Sequence, residues 1–95
     1  MIDNKNLLKF LRSELRKMCD GEKIKFLTYK KDRSIIVERI GDSFKVVENG
    51  YRKIVWDKLN ESEALKRIKK LQKIEFPRSN KLYLVKNNYR ERECI

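Results

Sequence analysis

Residues 34–56 read SIIVERIGDSFKVVENGYRKIVW, and this stretch decides the fold. Apolar and polar residues alternate along it, and the turn dipeptides Gly41-Asp42 and Asn49-Gly50 interrupt it at short intervals. Alternation with a period of two puts one set of side chains on the buried face of a strand. Asn-Gly between two such runs is the strongest short hairpin signal, with both turn residues at positive φ. Gly41-Asp42 fits a two-residue turn with glycine first, and residues 30–33 make a third, looser reversal. The pattern predicts a four-stranded antiparallel meander over 23–29, 34–40, 43–48 and 51–56.

Hairpin register then sorts the faces, because residues opposite one another across a ladder share a side. A two-residue Asn49-Gly50 turn pairs Glu48 with Tyr51, Val46 with Lys53 and Phe44 with Val55. The Gly41-Asp42 turn pairs Ile40 with Ser43, Arg39 with Phe44 and Val37 with Val46. One face thereby collects Ile24, Phe26, Ile35, Val37, Phe44, Val46, Tyr51 and Val55 as a core. The other carries Lys25, Leu27, Tyr29, Ile36, Glu38, Ile40, Lys45, Val47, Arg52, Ile54 and Trp56. That second face is too apolar to be simply wetted, so a cover or a partner is expected on it.

Helices flank the meander. From about Asn4 to Asp20, Leu7, Leu8, Leu11, Leu15 and Met18 form one stripe within about 100° of arc, with Asp3 or Asn4 as cap and Gly21 as left-handed stop. From Glu61 to about Lys73, Ala64, Leu65, Ile68 and Leu71 line the inner face, and Asn60 with Glu63 makes a capping box. Pro77 ends this helix by Phe76, and Leu82 to Val85 read as a short edge strand. The expectation is an α+β domain, order α-β-β-β-β-α-(β), over 1–86, with a loosely ordered charged tail over 87–95.

Ninety-five residues allow one modest core and exclude a Rossmann sheet or a two-domain cleft. The chain has no His, which excludes imidazole acid–base chemistry and His-assisted nucleophiles. Cys19 and Cys94 are its two cysteines, far apart in sequence, so neither zinc nor any other metal or cofactor is expected. Without an N-terminal apolar signal segment, reduced thiols and a cytoplasmic location are expected, and no apolar run is long enough for a membrane partner. The abundance of Lys, Ile and Asn suits an AT-rich genome, such as that of a virus or mobile element.

The remaining signal is charge. Twenty-five Lys+Arg against 14 Asp+Glu give +11. Lys5, Lys9, Arg12 and Arg16 are spaced 4, 3 and 4 residues apart and occupy about 60° of the first helix, away from its leucine stripe. Like charges at i,i+4 cost about 0.2–0.5 kcal/mol each, so a helix selected for solubility alone more often interleaves signs. On the second helix Lys66, Arg67, Lys69, Lys70 and Lys73 repeat the arrangement, although lysines near a helix end also suit its dipole. If both helices cover one sheet face, their ridges share an outer side, the footprint of a nucleic-acid binder.

The order helix, three strands, helix is similar to the double-stranded RNA-binding domain, and a meander followed by a helix looks like the sheet-reading DNA-binding domains of some integrases. Both likenesses are topological. Where the first family opens its second helix with a Gly-rich, Lys-Lys-containing run, this chain has Leu59-Asn60-Glu61-Ser62-Glu63.

The leading expectation is a non-enzymatic protein that binds DNA or RNA. It would hold phosphates through Lys5, Lys9, Arg12 and Arg16, with Lys66, Arg67, Lys70 and Lys73 extending the track. Lys25, Tyr29, Lys45, Arg52 and Trp56 are candidate contacts on the sheet, where rings among cations could stack bases. The alternative is a protein-interaction or inhibitor module, dimeric or bound to an acidic protein, using the sheet face around Trp56, Ile54, Ile36 and Val47. A His-free ribonuclease working with Tyr, Lys and Arg is a third reading.

Overall fold

The alternation in the sequence becomes β2 (Lys23–Leu27), β3 (Ser34–Ile40), β4 (Ser43–Asn49) and β5 (Lys53–Leu59), an antiparallel meander. The computed structural model describes residues 2–28, 30, 32–76 and 81–87. A short β1 (Ile2–Asp3) and a 3-10 turn (Asn4–Asn6) precede α1 (Leu7–Lys17); α2 (Glu61–Glu75) and β6 (Lys81–Asn87) follow the meander. All six strands join one antiparallel sheet in the order β1-β6-β2-β3-β4-β5. The fold is α+β, with a wider sheet than the meander alone.

β6 is longer than the expected 82–85 and is no edge: it lies between β2 and β1. Leu82 and Leu84 pack with the core, while Lys86 and Asn87 continue its ladder, Asn87 having been expected as the first residue of the loose tail. The rest of the expected tail lies outside the described residues. A salt bridge of 2.6 Å between Lys81 and Asp3 ties β1 to β6. The hydrogen bond and charge of that ammonium hold the Asp3 carboxyl below its usual range.

Both helices cover the same sheet face. Leu7, Leu11, Leu15 and Met18 of the first stripe and Ala64, Ile68 and Leu71 of the second are buried against Ile24, Phe26, Ile35, Val37, Phe44 and Val46. Burying each of these side chains larger than Ala64 contributes roughly 1.5–3 kcal/mol. Phe10 meets Phe26 edge-on, with ring centroids 6.2 Å apart. The helices run antiparallel: Arg16 reaches Glu61 at one end, and Asn4 reaches Gln72 and Phe76 at the other.

Local chemistry sets the ends. The Asn60–Glu63 capping box forms as expected, with reciprocal bonds of 2.8 and 2.9 Å. The α1 cap does not: neither Asp3 nor Asn4 caps that helix. Asn4 instead donates to the Phe76 carbonyl just past α2 and accepts from Gln72, satisfying groups of the second helix with a residue of the turn before the first. Gly21 has φ of +90° but lies in the turn beyond α1, where its N–H bonds the Arg39 carbonyl.

The main departure is the phase of β5. The Gly41-Asp42 hairpin has the expected register, but Asn49 pairs with Lys53, Glu48 with Ile54 and Val46 with Trp56. Residues 50–52 form the reversal, and neither Asn49 nor Gly50 takes a positive φ. Ile54 and Trp56 therefore face the helices, Val55 faces away at 55% exposure, and Tyr51 is 70% exposed. The expected places of all four side chains are overturned. A bulge follows at Asp57-Lys58, opposite Lys45, with Lys58 at φ 57°; the extra residue returns Leu59 to the helix face.

Gly50 matters because of space. A Cβ there would lie 2.5 Å from Glu75 Oε1 and 3.0 Å from Arg33 Cβ and Cγ. Gly50→Ala is expected to lower stability by about 1–3 kcal/mol, as overpacking does, measured by urea unfolding. An unchanged midpoint would show that Glu75 can leave its place at no cost.

Candidate nucleic-acid interface

The outer surface of the helix pair is cationic. Lys5, Lys9, Arg12, Arg16, Lys66, Lys69, Lys70 and Lys73 are all exposed. Leu65 and Gln72, on the stripe of α2 nearer α1, are half-buried, which leaves Lys66, Lys69 and Lys73 on the outside. Lys9, Arg12, Ser13, Arg16 and Lys17 line a shallow depression along α1. From Lys5 to Arg16 the ridge runs about 16 Å, at about 1.5 Å per helical residue.

Two of the expected residues are engaged elsewhere. Arg16 pairs with Glu61 at 3.3 Å across the helix interface, an exposed bridge worth little in stability. Arg67 turns toward β5 and lies over the Trp56 ring at 4.6 Å from its centroid, so it shields the indole and is not part of the outer ridge.

The acids have other employment. Glu14 holds Lys86 at 2.7 Å, Asp20 accepts the Gly41 N–H, Glu22 accepts the Cys19 N–H, and Glu63 closes the capping box. Asp32 accepts the Thr28 hydroxyl at 2.7 Å, which holds its carboxyl below the ordinary range. Among the described residues, no acid forms an ion pair with Lys5, Lys9, Arg12, Lys66, Lys69, Lys70 or Lys73.

The sheet-face candidates do not form one site. Lys25 and Lys45 are half-buried on the face away from the helices, but Trp56 is on the opposite face and Arg52 lies in the 50–52 loop. Tyr29 lies outside the described residues. Glu38 stands opposite Lys23 and Lys45 on the same face. The uncovered face carries an aliphatic row, Val85, Ile36, Val47 and Val55, interrupted by Lys25. Cys19 is disulfide-bonded, against the expectation of a reduced thiol; Cys94 lies outside the described residues.

Sequence reasoning missed a buried polar cluster at the sheet end. Glu48 and Glu75 are 0% and 1% exposed. Arg52 bonds both Glu48 oxygens at 3.2 and 3.3 Å, and Glu75 Oε1 accepts the Tyr51 N–H at 2.9 Å with Arg33 Nε 3.9 Å away. Burial and contact with Glu75 raise the Glu48 carboxyl above its ordinary range, with Arg52 opposing. Burial also opposes ionisation of Glu75, but hydrogen bonds from Glu48 and the Tyr51 and Arg52 N–H groups, with Arg33, bring it below that range. Glu75 Oε2 has no partner among the described residues unless Glu48 carries a proton to donate. A glutamate in phase with Phe44 and Val46 was the available signal, since it breaks the apolar face.

Comparison with protein families, curated proteins and solved structures finds no match. Among the described residues, no helix is long and apolar enough to cross a membrane, and no group of three or more acidic or Cys side chains could hold a metal ion.

The carboxyl pair gives a signed pH dependence. Folded Glu48 keeps its proton above the ordinary value of 4.5, so the unfolded chain binds fewer protons there and stability falls as pH rises through that window. Folded Glu75 is lowered, so its contribution is lost as pH falls through its folded value. The pair alone puts the maximum near 4.5. Glu48→Gln, which removes that titration, should raise Tm relative to wild type more at pH ~7.5 than at pH ~4.5. Thermal melts with parallel pH profiles would refute the raised Glu48 carboxyl.

Proposed function

We propose that the chain is a non-enzymatic nucleic-acid-binding protein that docks the phosphate backbone on the outer face of its two helices. One observation carries the reading: exposed cations line that face without acidic partners, while the acids are spent on turns, caps and inter-element bridges. Lys5 of the 3-10 turn, Lys9 and Arg12 of α1, and Lys66, Lys69, Lys70 and Lys73 of α2 supply the contacts. Arg16 joins them from its bridge to Glu61, and Arg67 supports the surface from its place over Trp56. Phosphate contacts position a ligand without reading sequence, so DNA and RNA are both ligands in kind. Two packed helices, each about 10–12 Å across, are too broad together for a groove about 12 Å wide, so they lie against backbone. A cytoplasmic location was expected together with reduced thiols, and the disulfide at Cys19 fits an oxidising compartment better. A viral or mobile-element origin remains a compositional reading.

A second reading, docking of an acidic protein, is favoured by the aliphatic row of the uncovered sheet face with Lys23, Lys25, Lys45 and Lys53 around it. A homodimer through that face would set these lysines against their copies, so the favoured partner is a different protein.

Two triple reversals with the same change in net charge test the first reading. Lys5→Glu/Lys9→Glu/Arg12→Glu should weaken binding of a 20-mer oligonucleotide at least tenfold at ~100 mM salt, since affinity scales with phosphates neutralised. Lys23→Glu/Lys45→Glu/Lys53→Glu should change it by less than about threefold. Equal losses, read by fluorescence anisotropy, would show a generic polycation with no preferred face.

A further inference from the structure

We propose that Arg33, Tyr51 and Arg52 form a second contact site, at the end of the sheet, that stacks an unpaired nucleobase and holds its phosphate. The site rests on reading the chain as a nucleic-acid binder, but it lies apart from the helix ridges and takes a different part of the ligand.

Its geometry is unusual for a surface loop. Tyr51 is 70% exposed, whereas a two-residue Asn49-Gly50 turn would have paired it with Glu48 on the core face. The Arg33 guanidinium lies over its ring at 6.0 Å from the centroid. Arg52 is the next residue, fixed through Nε and Nη2 to Glu48, which leaves Nη1 for an outside anion. The two arginine side chains are 37% and 42% exposed, so each is anchored at one end and open to solvent at the other.

The anchors explain the cost of the arrangement. Burying Glu48 and Glu75 is poor stabilisation, because desolvation offsets most of the attraction to the arginines. What a buried acid does supply is orientation: a guanidinium held from behind loses less freedom when it grips a phosphate. Glu75 also binds the Tyr51 N–H, so one carboxylate positions both the ring's backbone and Arg33. Gly50 gives Glu75 the room to do so. An exposed ring beside oriented cations is the arrangement that single strands use, stacking on the ring and pairing phosphate with charge.

The site also continues the cationic face. Glu75 and Phe76 bring it to the end of α2 where Lys73 lies, and Asn4 bonds Phe76 at the end of α1 next to Lys5. A strand lying along the ridges would reach Tyr51 at that end.

The test compares labelled oligothymidylate with an abasic strand of equal length, which has the same phosphates and no bases. Wild type should bind the base-bearing strand roughly 5- to 150-fold more tightly, the range of one stacked base. Tyr51→Ala should erase that difference without weakening the abasic strand, and Tyr51→Phe should keep it. Far-UV circular dichroism of the variants checks folding, and Tyr51 is exposed enough to be replaced without loss. Equal binding of the two strands by wild type, or discrimination that survives Tyr51→Ala, would overturn this site and leave the backbone reading standing. If the abasic strand fails to bind at low salt, the backbone reading falls and this site falls with it.

Discussion

Glu75 entering beneath Gly50 is the contact on which the rest of the arrangement depends. Its Oε1 accepts the Tyr51 N–H and stands where a Cβ of residue 50 would be. This fixes a reversal of residues 50–52 instead of a two-residue turn, and the change of one residue inverts β5 from Lys53 to Trp56, until the bulge brings Leu59 back to the helix face. Ile54 and Trp56 then join the helix face, Val55 leaves it, and Arg52 falls beside the buried Glu48. The same carboxylate comes from the last turn of α2, so the loop, the strand phase and the helix position are set together.

The division of charge follows from that packing. Acids are used where the chain turns or where elements meet: Asp3 to β6, Glu14 to Lys86, Asp20 to the β3–β4 turn, Glu61 to Arg16, Glu48 and Glu75 to the loop arginines. Each such use removes a negative charge from the outer helix surface. The ridge cations on the outer positions of the two helices are thereby left without acidic ion-pair partners among the described residues, apart from Arg16. A solvated face with mixed signs would have needed acids on the outer positions of α1, and Glu14 is directed instead to β6.

Much of this was legible in the residues. Period-two alternation located β2, β3 and β4, and the Gly41-Asp42 turn carried their register. The leucine stripe of α1 and the capping box of α2 were local signals, and six inward residues from Ile24 to Val46 followed from them. What could not be read was set by contacts distant in sequence. Asn49-Gly50 has the composition of a tight turn, but Glu75, 25 residues on, takes the space beside the glycine. Asn4 has the chemistry of a cap for α1 and serves Phe76, 72 residues away. Trp56 was misplaced with its strand, and Arg67 over it was counted as a phosphate ligand because helical periodicity does not show what stands beside a helix. The short apolar run at 82–85 did not disclose that β6 lies inside the sheet.

The central claim is that several cations of one face act together on a polyanion. The slope of log Kd against log salt for wild type with a duplex 20-mer measures how many do, because each neutralised phosphate contributes about 0.9 to it. With Lys5, Lys9, Arg12, Lys66, Lys69, Lys70 and Lys73 as the contacting set, the expected magnitude is about 5 to 7. A slope of about 1 or 2 would mean that the ridges do not engage the backbone as a surface, and would contradict the account.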